Sequence, residues 1–116
     1  MTSFKERDLA EVQDFSDPIV SVHLEFKFTD GFVVKTQEVL TSLVKDVKIV
    51  SNDGKIIKSD LKPLWLHDRP FFLLFPIEGL YLPPDARVRV NVAQNVPQLI
   101  TIVPTFWSRR RMQSNL

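Results

Sequence analysis

The segment Leu66-His67-Asp68-Arg69 is the one place in the sequence where a histidine adjoins both an acid and a base. In an enzyme, Asp68 could orient His67 as a general base, since imidazole titrates near neutral pH. Adjacent residues of an extended loop point in different directions, and only His23 remains as a second histidine in a chain without cysteine. We therefore interpret the segment as a polar loop tip and predict no enzyme activity, no metal site and no cofactor.

Trp107 and the three arginines beyond it, Arg109, Arg110 and Arg111, concentrate positive charge beside an aromatic ring. Guanidinium groups pair with phosphate and an indole stacks on unpaired bases, so this tail could contact single-stranded nucleic acid. An acidic protein surface would satisfy the same arginines, and a solvated terminus without a partner is the third interpretation. Because the signatures of common nucleic-acid-binding folds are missing, we rank the protein surface above nucleic acid.

The two ends of the chain carry opposite charge, although the formal net charge of the whole chain is +1. Residues 1–17 hold two basic and five acidic side chains, whereas residues 108–116 hold three arginines and no acid. Chance could produce this asymmetry. If the asymmetry has a function, it favours a contact in which the basic C-terminal residues of one subunit lie on the acidic N-terminal residues of another.

The elements that would position these residues belong to one domain, since 116 residues with 44% hydrophobic content suit a single core. The chain starts without a secretory signal, and no window approaches the roughly 20 apolar residues of a membrane span. The absence of cysteine fits a reducing compartment. These features predict a cytoplasmic location and no membrane span.

Most of the chain beyond residue 18 alternates apolar and polar residues, as does a strand with one buried and one solvent-exposed face. In residues 19–28 the even-numbered apolar side chains share one face, and His23 falls on the other, which predicts a surface histidine. Asp30-Gly31 then predicts a hairpin with its return strand in residues 32–40, because both residue types tolerate positive φ.

Turns and prolines divide the remaining sequence into short segments. A second hairpin is predicted between Val47–Val50 and Lys55–Lys58, and residues 77–85 are predicted to form a loop. Further strands are predicted in residues 71–75, 87–92 and 97–107. Seven or eight short strands are typical of an all-β, single-domain antiparallel sandwich, of jelly-roll or related Greek-key topology.

The predicted domain comprises an N-terminal arm (1–17), a β-sandwich (18–107) and a basic C-terminal tail (108–116). Ser3 and Glu6 have the spacing of a capping box, which would allow a helix over about Phe4–Asp14. The apolar residues of that segment form no clean stripe, so the helix would be marginal alone.

The run RPFFLLFPIEGLYLPP, residues 69–84, is unusually rich in large apolar side chains. Residues 71–75 show no wet face, so three interpretations stay open: a central strand covered on both faces, a strand between the core and a subunit interface, and a lipid contact. Leu80 and Tyr81 continue the apolar surface into the predicted loop, which favours the interface. The predicted interface residues are Phe71, Phe72, Phe75, Leu80, Tyr81, Leu82 and Trp107.

The order of these segments resembles that of small virion proteins of tailless icosahedral bacteriophages, above all the single jelly-roll protein at their fivefold vertices. The matching pieces cover about half of the chain: Val47–Val50, Asn52-Asp53, Phe71–Pro76, Val88–Val92 and Pro97–Trp107. In a jelly roll successive strands usually lie in opposite sheets, whereas the Asp30-Gly31 turn predicts direct pairing of the first two strands. The resemblance implies a non-enzymatic capsid component in the virion, which binds copies of itself and other capsid proteins.

The leading hypothesis from the sequence is therefore an oligomeric structural assembly protein. The alternative is a binding module, in which a sandwich edge or residues 64–69 and 77–85 hold a peptide, glycan or nucleic-acid strand, with Arg109–Arg111 supplying charge. An enzyme that uses His67 is the third and weakest hypothesis.

Overall fold

The computed structural model describes residues 3–9 and 17–108, which form seven strands and one short helix. The elements are β1 (Phe4–Leu9), β2 (Ile19–Phe28), α1 (Gln37–Thr41), β3 (Val44–Val50), β4 (Ile56–Lys58), β5 (Phe72–Leu80), β6 (Arg87–Ala93) and β7 (Leu99–Ser108). None of the helical structure in these ranges has the length and apolar character needed to span a membrane.

Two antiparallel sheets pack face to face, which confirms the predicted all-β sandwich. The larger sheet has the strand order β1-β6-β3-β4, and the smaller has the order β5-β2-β7. Only β3 and β4 follow each other within one sheet. Every other connection between consecutive strands crosses from one sheet to the other.

The core forms where the apolar faces of β2 and β6 meet across the sandwich. Six of its side chains come from the even-numbered positions of these two strands: Val22, Leu24, Phe26, Val88, Val90 and Val92. Burial of each such side chain stabilises the fold by roughly 1.5–3 kcal/mol. The period-two pattern of the sequence therefore identified both central strands.

The predicted N-terminal helix is wrong over the residues that the structure describes. Phe4–Leu9 is strand β1, which pairs with β6 from Phe4↔Ala93 to Leu9↔Val88. The backbone of β6 supplies hydrogen bonds that a marginal helix would have to make alone. The ammonium of Lys45 also lies 4.3 Å from the Phe4 ring centroid and holds the start of β1 on the sheet. The rest of the predicted helix, residues 10–14, lies outside the described residues.

The predicted hairpin at Asp30-Gly31 is also wrong, although the turn itself is present. Gly31 has φ 85°, as a tight turn requires, but residues 32–36 form no strand and α1 follows. Both edges of β2 are occupied by distant strands, β5 on one side and β7 on the other. The sequence therefore predicts the turn at Asp30-Gly31 correctly. The strand that follows the turn does not form, because β5 and β7 already pair with both edges of β2.

The second predicted hairpin is confirmed between β3 and β4, with Ile49 opposite Lys58 and Val50 opposite Ile56. Gly54 supplies φ 86° in its turn. The carboxylate of Asp53 accepts hydrogen bonds from the Ser51 hydroxyl and the Lys55 backbone N–H, which lower the pKa of Asp53. The same local chemistry that marks this turn in the sequence therefore stabilises it.

Strand β5 differs from the prediction in its extent and its place. It continues through Pro76 to Leu80, so the predicted loop begins only after residue 80. It is an edge strand of the smaller sheet, which corrects the interpretation of residues 71–75 as a central strand. Proline has no N–H to donate to a β-ladder. Pro76 is tolerated in the middle of β5 because no strand pairs along the full outer edge of β5.

Candidate functional site

Two of the predicted interface residues lie in the protein's own core. Phe75 is 1% exposed and Leu82 is 6% exposed, and both belong to the main hydrophobic cluster. Phe75 stands opposite Val22 on β2, on the inner face of the smaller sheet. Their enclosure by this chain corrects the prediction that they contact a partner, since the facing sheet already covers them.

The remaining predicted residues of the run are more accessible. Phe71, Phe72 and Leu80 are half-buried, and Tyr81 is 70% exposed. Phe71 packs beside Phe28, with ring centroids 6.0 Å apart, and Phe28 stacks on Phe32 at 4.2 Å. Phe71 therefore belongs partly to an aromatic cluster of this chain, whereas Tyr81 projects into solvent at the end of β5.

Two exposed leucines flank β5, and the sequence interpretation missed both. Leu64 exchanges backbone hydrogen bonds of 2.7 and 2.9 Å with Leu74, and it is the one described residue that bridges the outer edge of β5. Leu66 lies two residues further along. Both side chains are exposed. The available signal was the two-residue spacing of Leu64 and Leu66 in LKPLWLH, which resembles a short strand segment.

We call this region the β5 edge surface and define it by Leu64, Leu66, Phe72, Pro76 and Tyr81. It combines the edge of a sheet with exposed or half-buried apolar side chains along the length of one strand. Sheet edges and contiguous apolar patches are both places where a second chain can add. Trp65, between the two leucines, is fixed by its indole N–H, which donates to the Pro70 carbonyl at 3.0 Å.

Trp107, the last predicted interface residue, packs against its own chain. Its indole stacks on the His23 imidazole with centroids 4.4 Å apart and planes 3° apart. His23 is 2% exposed, which corrects the predicted surface histidine. The outer face of β2 is shielded from solvent at His23, because Trp107 of β7 and Leu74 of β5 lie on either side of it. Sequence periodicity along β2 alone could not reveal these neighbours.

The predicted loop tip at residues 66–69 is an exposed turn closed by a hydrogen bond of 3.0 Å from the Arg69 N–H to the Leu66 carbonyl. The imidazole of His67 lies edge-on to Trp65, with centroids 4.6 Å apart. No three His, Asp or Glu side chains among residues 3–9 and 17–108 are grouped as metal ligands.

The acidic residues of β1 have partners within the chain. Arg89 donates from Nε to Asp8 Oδ1 at 2.7 Å and from Nη2 to Asp8 Oδ2 at 3.0 Å. This pairing lowers the pKa of Asp8 and raises the pKa of Arg89. Glu6 lies 3.8 Å from the same guanidinium. These two acids of the predicted arm are thus neutralised by β6 of their own chain. The arginines Arg109–Arg111 lie outside the described residues.

The opposite face of β1 lines a groove of about 420 Å³ between the two sheets. Lys5, Arg7 and Leu9 face it from β1, and residues 99–102 line it from β7. Its remaining wall comes from residues 92–96, at the end of β6 and in the turn that follows. The groove places two cations at the open side of the sandwich, and its accessible lining is more polar than apolar.

Comparison of the chain with protein-family models, with curated proteins and with solved structures finds no significant match.

Proposed function

We propose that this protein is a structural assembly protein that self-associates through the β5 edge surface. The observation that carries the proposal is the apolar character of that surface along an edge strand. Three of the six large apolar side chains most exposed in the described chain are Leu64, Leu66 and Tyr81. Leu64 forms the edge bridge to β5, Leu66 lies two residues from that bridge, and Tyr81 directly follows the strand. The other three, Val33, Ile56 and Ile100, belong to three different parts of the fold.

Self-association follows from the energetics of this surface. Full burial of a large apolar side chain contributes roughly 1.5–3 kcal/mol, so several side chains buried together can offset the cost of bringing two subunits together. Backbone groups at the edge of β5 beyond the Leu64 bridge could add hydrogen bonds from a second chain. Pro76 limits this contribution, so side-chain packing provides most of the stabilisation.

The biological setting of the proposal is a virion, with the protein as a minor capsid component. Its support is the resemblance to the small jelly-roll proteins of tailless icosahedral bacteriophages. The matching pieces lie in β3, β5, β6 and β7 and in the β3–β4 turn. Consecutive strands other than β3 and β4 lie in opposite sheets, and this arrangement supports the proposal. Other capsid proteins are then the further partners, and no cofactor is involved.

The proposal is tested by two pairs of substitutions that introduce the same charge. Leu64→Asp with Tyr81→Asp places two acids on the β5 edge surface, whereas Val33→Asp with Ile56→Asp places two acids on exposed sites elsewhere. Sedimentation velocity should show the first variant shifted to monomer and the second with the mass of the wild type, because only the first desolvates charge on association. Equal oligomerisation of both variants would rule out the β5 edge surface as the contact.

A further inference from the structure

Strand β1 separates its charges by face. Asp8 and Glu6 lie on the outer face of the larger sheet, where Arg87 and Arg89 of β6 form ion pairs with them. Lys5 and Arg7 occupy the other parity, opposite Val92 and Val90 of β6, and they face the groove between the sheets. Within residues 3–9 and 17–108 neither cation lies within ion-pair distance of a carboxylate. Among the described residues, the groove therefore has a positive wall without a carboxylate partner.

The second wall of the groove has a different character, because it is formed by four consecutive residues of β7, Leu99 to Ile102. Consecutive residues alternate between the two faces of a strand, so the main chain as well as the side chains borders the groove. In the described structure β7 pairs only with β2. Its outer edge along Leu99–Ile102 thus offers backbone donors and acceptors beside the exposed Ile100 side chain.

We propose that this groove binds an extended acidic peptide, which adds as a strand to the edge of β7 and places its carboxylates on Lys5 and Arg7. Lys5 and Arg7 are two residues apart on one strand, a separation of about 6.8 Å. Acidic residues at alternate positions of an extended peptide have the same separation, so two carboxylates fit the two cations at once. The side chains between them point to the opposite face, away from Lys5 and Arg7, while the peptide backbone pairs with the β7 edge as in other cases of strand addition.

A peptide fits these walls better than a small anion or a nucleic acid. A small anion would use the cations and leave the β7 edge unoccupied. A nucleic-acid strand would need stacking surfaces, and no aromatic side chain lines the groove. Inward-facing cations on an edge strand can also protect a sheet from unwanted pairing, and that role predicts that no peptide binds. The inference is independent of self-association through the β5 edge surface.

The test measures binding of a fluorescent peptide of alternating valine and glutamate, about six residues long, by fluorescence anisotropy. The wild-type chain is compared with the K5S/R7S variant and with the control variant K58S/K62S. The control also removes two positive charges, one at the end of β4 (Lys58) and one in the segment that follows it (Lys62). Strand β4 is at the edge of the larger sheet opposite to β1. Thermal unfolding establishes that both variants fold. Three further probes are a valine–lysine peptide, the valine–glutamate peptide with alternate amides methylated, and a short single-stranded oligonucleotide.

The inference predicts binding of the acidic peptide to the wild type and to K58S/K62S, and about tenfold weaker binding to K5S/R7S. Added salt should weaken wild-type binding, and the valine–lysine and methylated peptides should bind poorly. The inference is overturned if the acidic peptide does not bind at about 1 mM, or if K5S/R7S binds it as the wild type does. Equal binding of the methylated peptide, or tighter binding of the oligonucleotide, would also overturn it.

Discussion

Phe72 and Phe75 are three residues apart on β5 and have different surroundings. Phe75 faces inward opposite Val22, whereas Phe72 lies on the outer face opposite Glu25 and is half-buried. We expect Phe75→Ala to lower the free energy of unfolding by about 3–5 kcal/mol, because it leaves a cavity in the core. Phe72→Ala should cost less than about 2 kcal/mol and should weaken association instead. Urea unfolding and sedimentation velocity of both variants measure the two effects, and equal stability losses would contradict the assignment.

Asp8 and Arg89 link the stability of the protein to pH. The Arg89 guanidinium lowers the pKa of Asp8 in the folded state, so the folded chain binds this proton less readily than the unfolded chain. The stabilising effect is complete above the unfolded pKa, about 3.9, and is lost as the pH falls through the lower folded value. Because both side chains are partly exposed, the contribution is modest.

The expected result is a thermal midpoint for Asp8→Asn a few degrees below that of the wild type at pH 7. The difference should shrink as the pH is lowered below 4, because protonation removes the same charge from the wild type. Arg89→Lys, which retains the charge but loses the two-pronged hydrogen bond, should fall between them. A difference between Asp8→Asn and the wild type that stays constant down to pH 2 would refute the role of this pair.

At the scale of elements, strand β3 contains a bulge, and residues on both sides of the bulge face the core. Val44 and Val47 are both buried although they are three residues apart, which strict alternation would forbid. The register of β3 against β6 shifts between Lys45 and Lys48, and Asp46 within the shift has φ 55°. Asn91 also donates to the Asp46 carboxylate at 2.9 Å. The bulge thus turns Val47 inward.

A β-branched residue tolerates positive φ poorly, so Asp46→Val should lower the free energy of unfolding by about 1–2 kcal/mol. Asp46→Gly keeps the backbone conformation and should cost less, since only the hydrogen bond from Asn91 is lost. Urea unfolding at neutral pH compares the two variants. If glycine proved as costly as valine, backbone conformation would not be the reason for the aspartate at this position.

The elements that the sequence predicts well are those whose signal is local. The alternation of β2 and β6 and the turn chemistry of the β3–β4 hairpin all lie within about ten residues. Strand β1 could not be predicted because β6, which stabilises it, is about 80 residues away in sequence. The edge position of β5 depends on the same long-range pairing.

The candidate surfaces were predictable only in part, for a related reason. Phe72 stands out in sequence because it lies within an apolar run that has no polar face, and Tyr81 because it follows that run. The exposure of Leu64 depends on its bridge to Leu74, and the groove at Lys5 and Arg7 depends on β7 lying opposite β1. Such surfaces arise from the packing of two distant segments, which composition and periodicity do not encode.

At the scale of the whole molecule, the two open sides of the sandwich have different chemistry. On one side β1 and β7 border the groove that carries Lys5 and Arg7. On the other side, residues 58–64 and Pro76 enclose a shallower and largely apolar depression beside β5. A charged side and an apolar side suit different partners, so the proposed self-association and the proposed peptide binding would use separate surfaces.

Because the β5 edge surface is apolar, the assembly should persist when salt screens charge. The mass of the wild-type chain in solution, measured by sedimentation at low and high salt over a range of concentrations, tests this most directly. The account predicts an oligomer at both salt concentrations. A strict monomer at tens of micromolar, or an oligomer that dissociates in high salt, would contradict it.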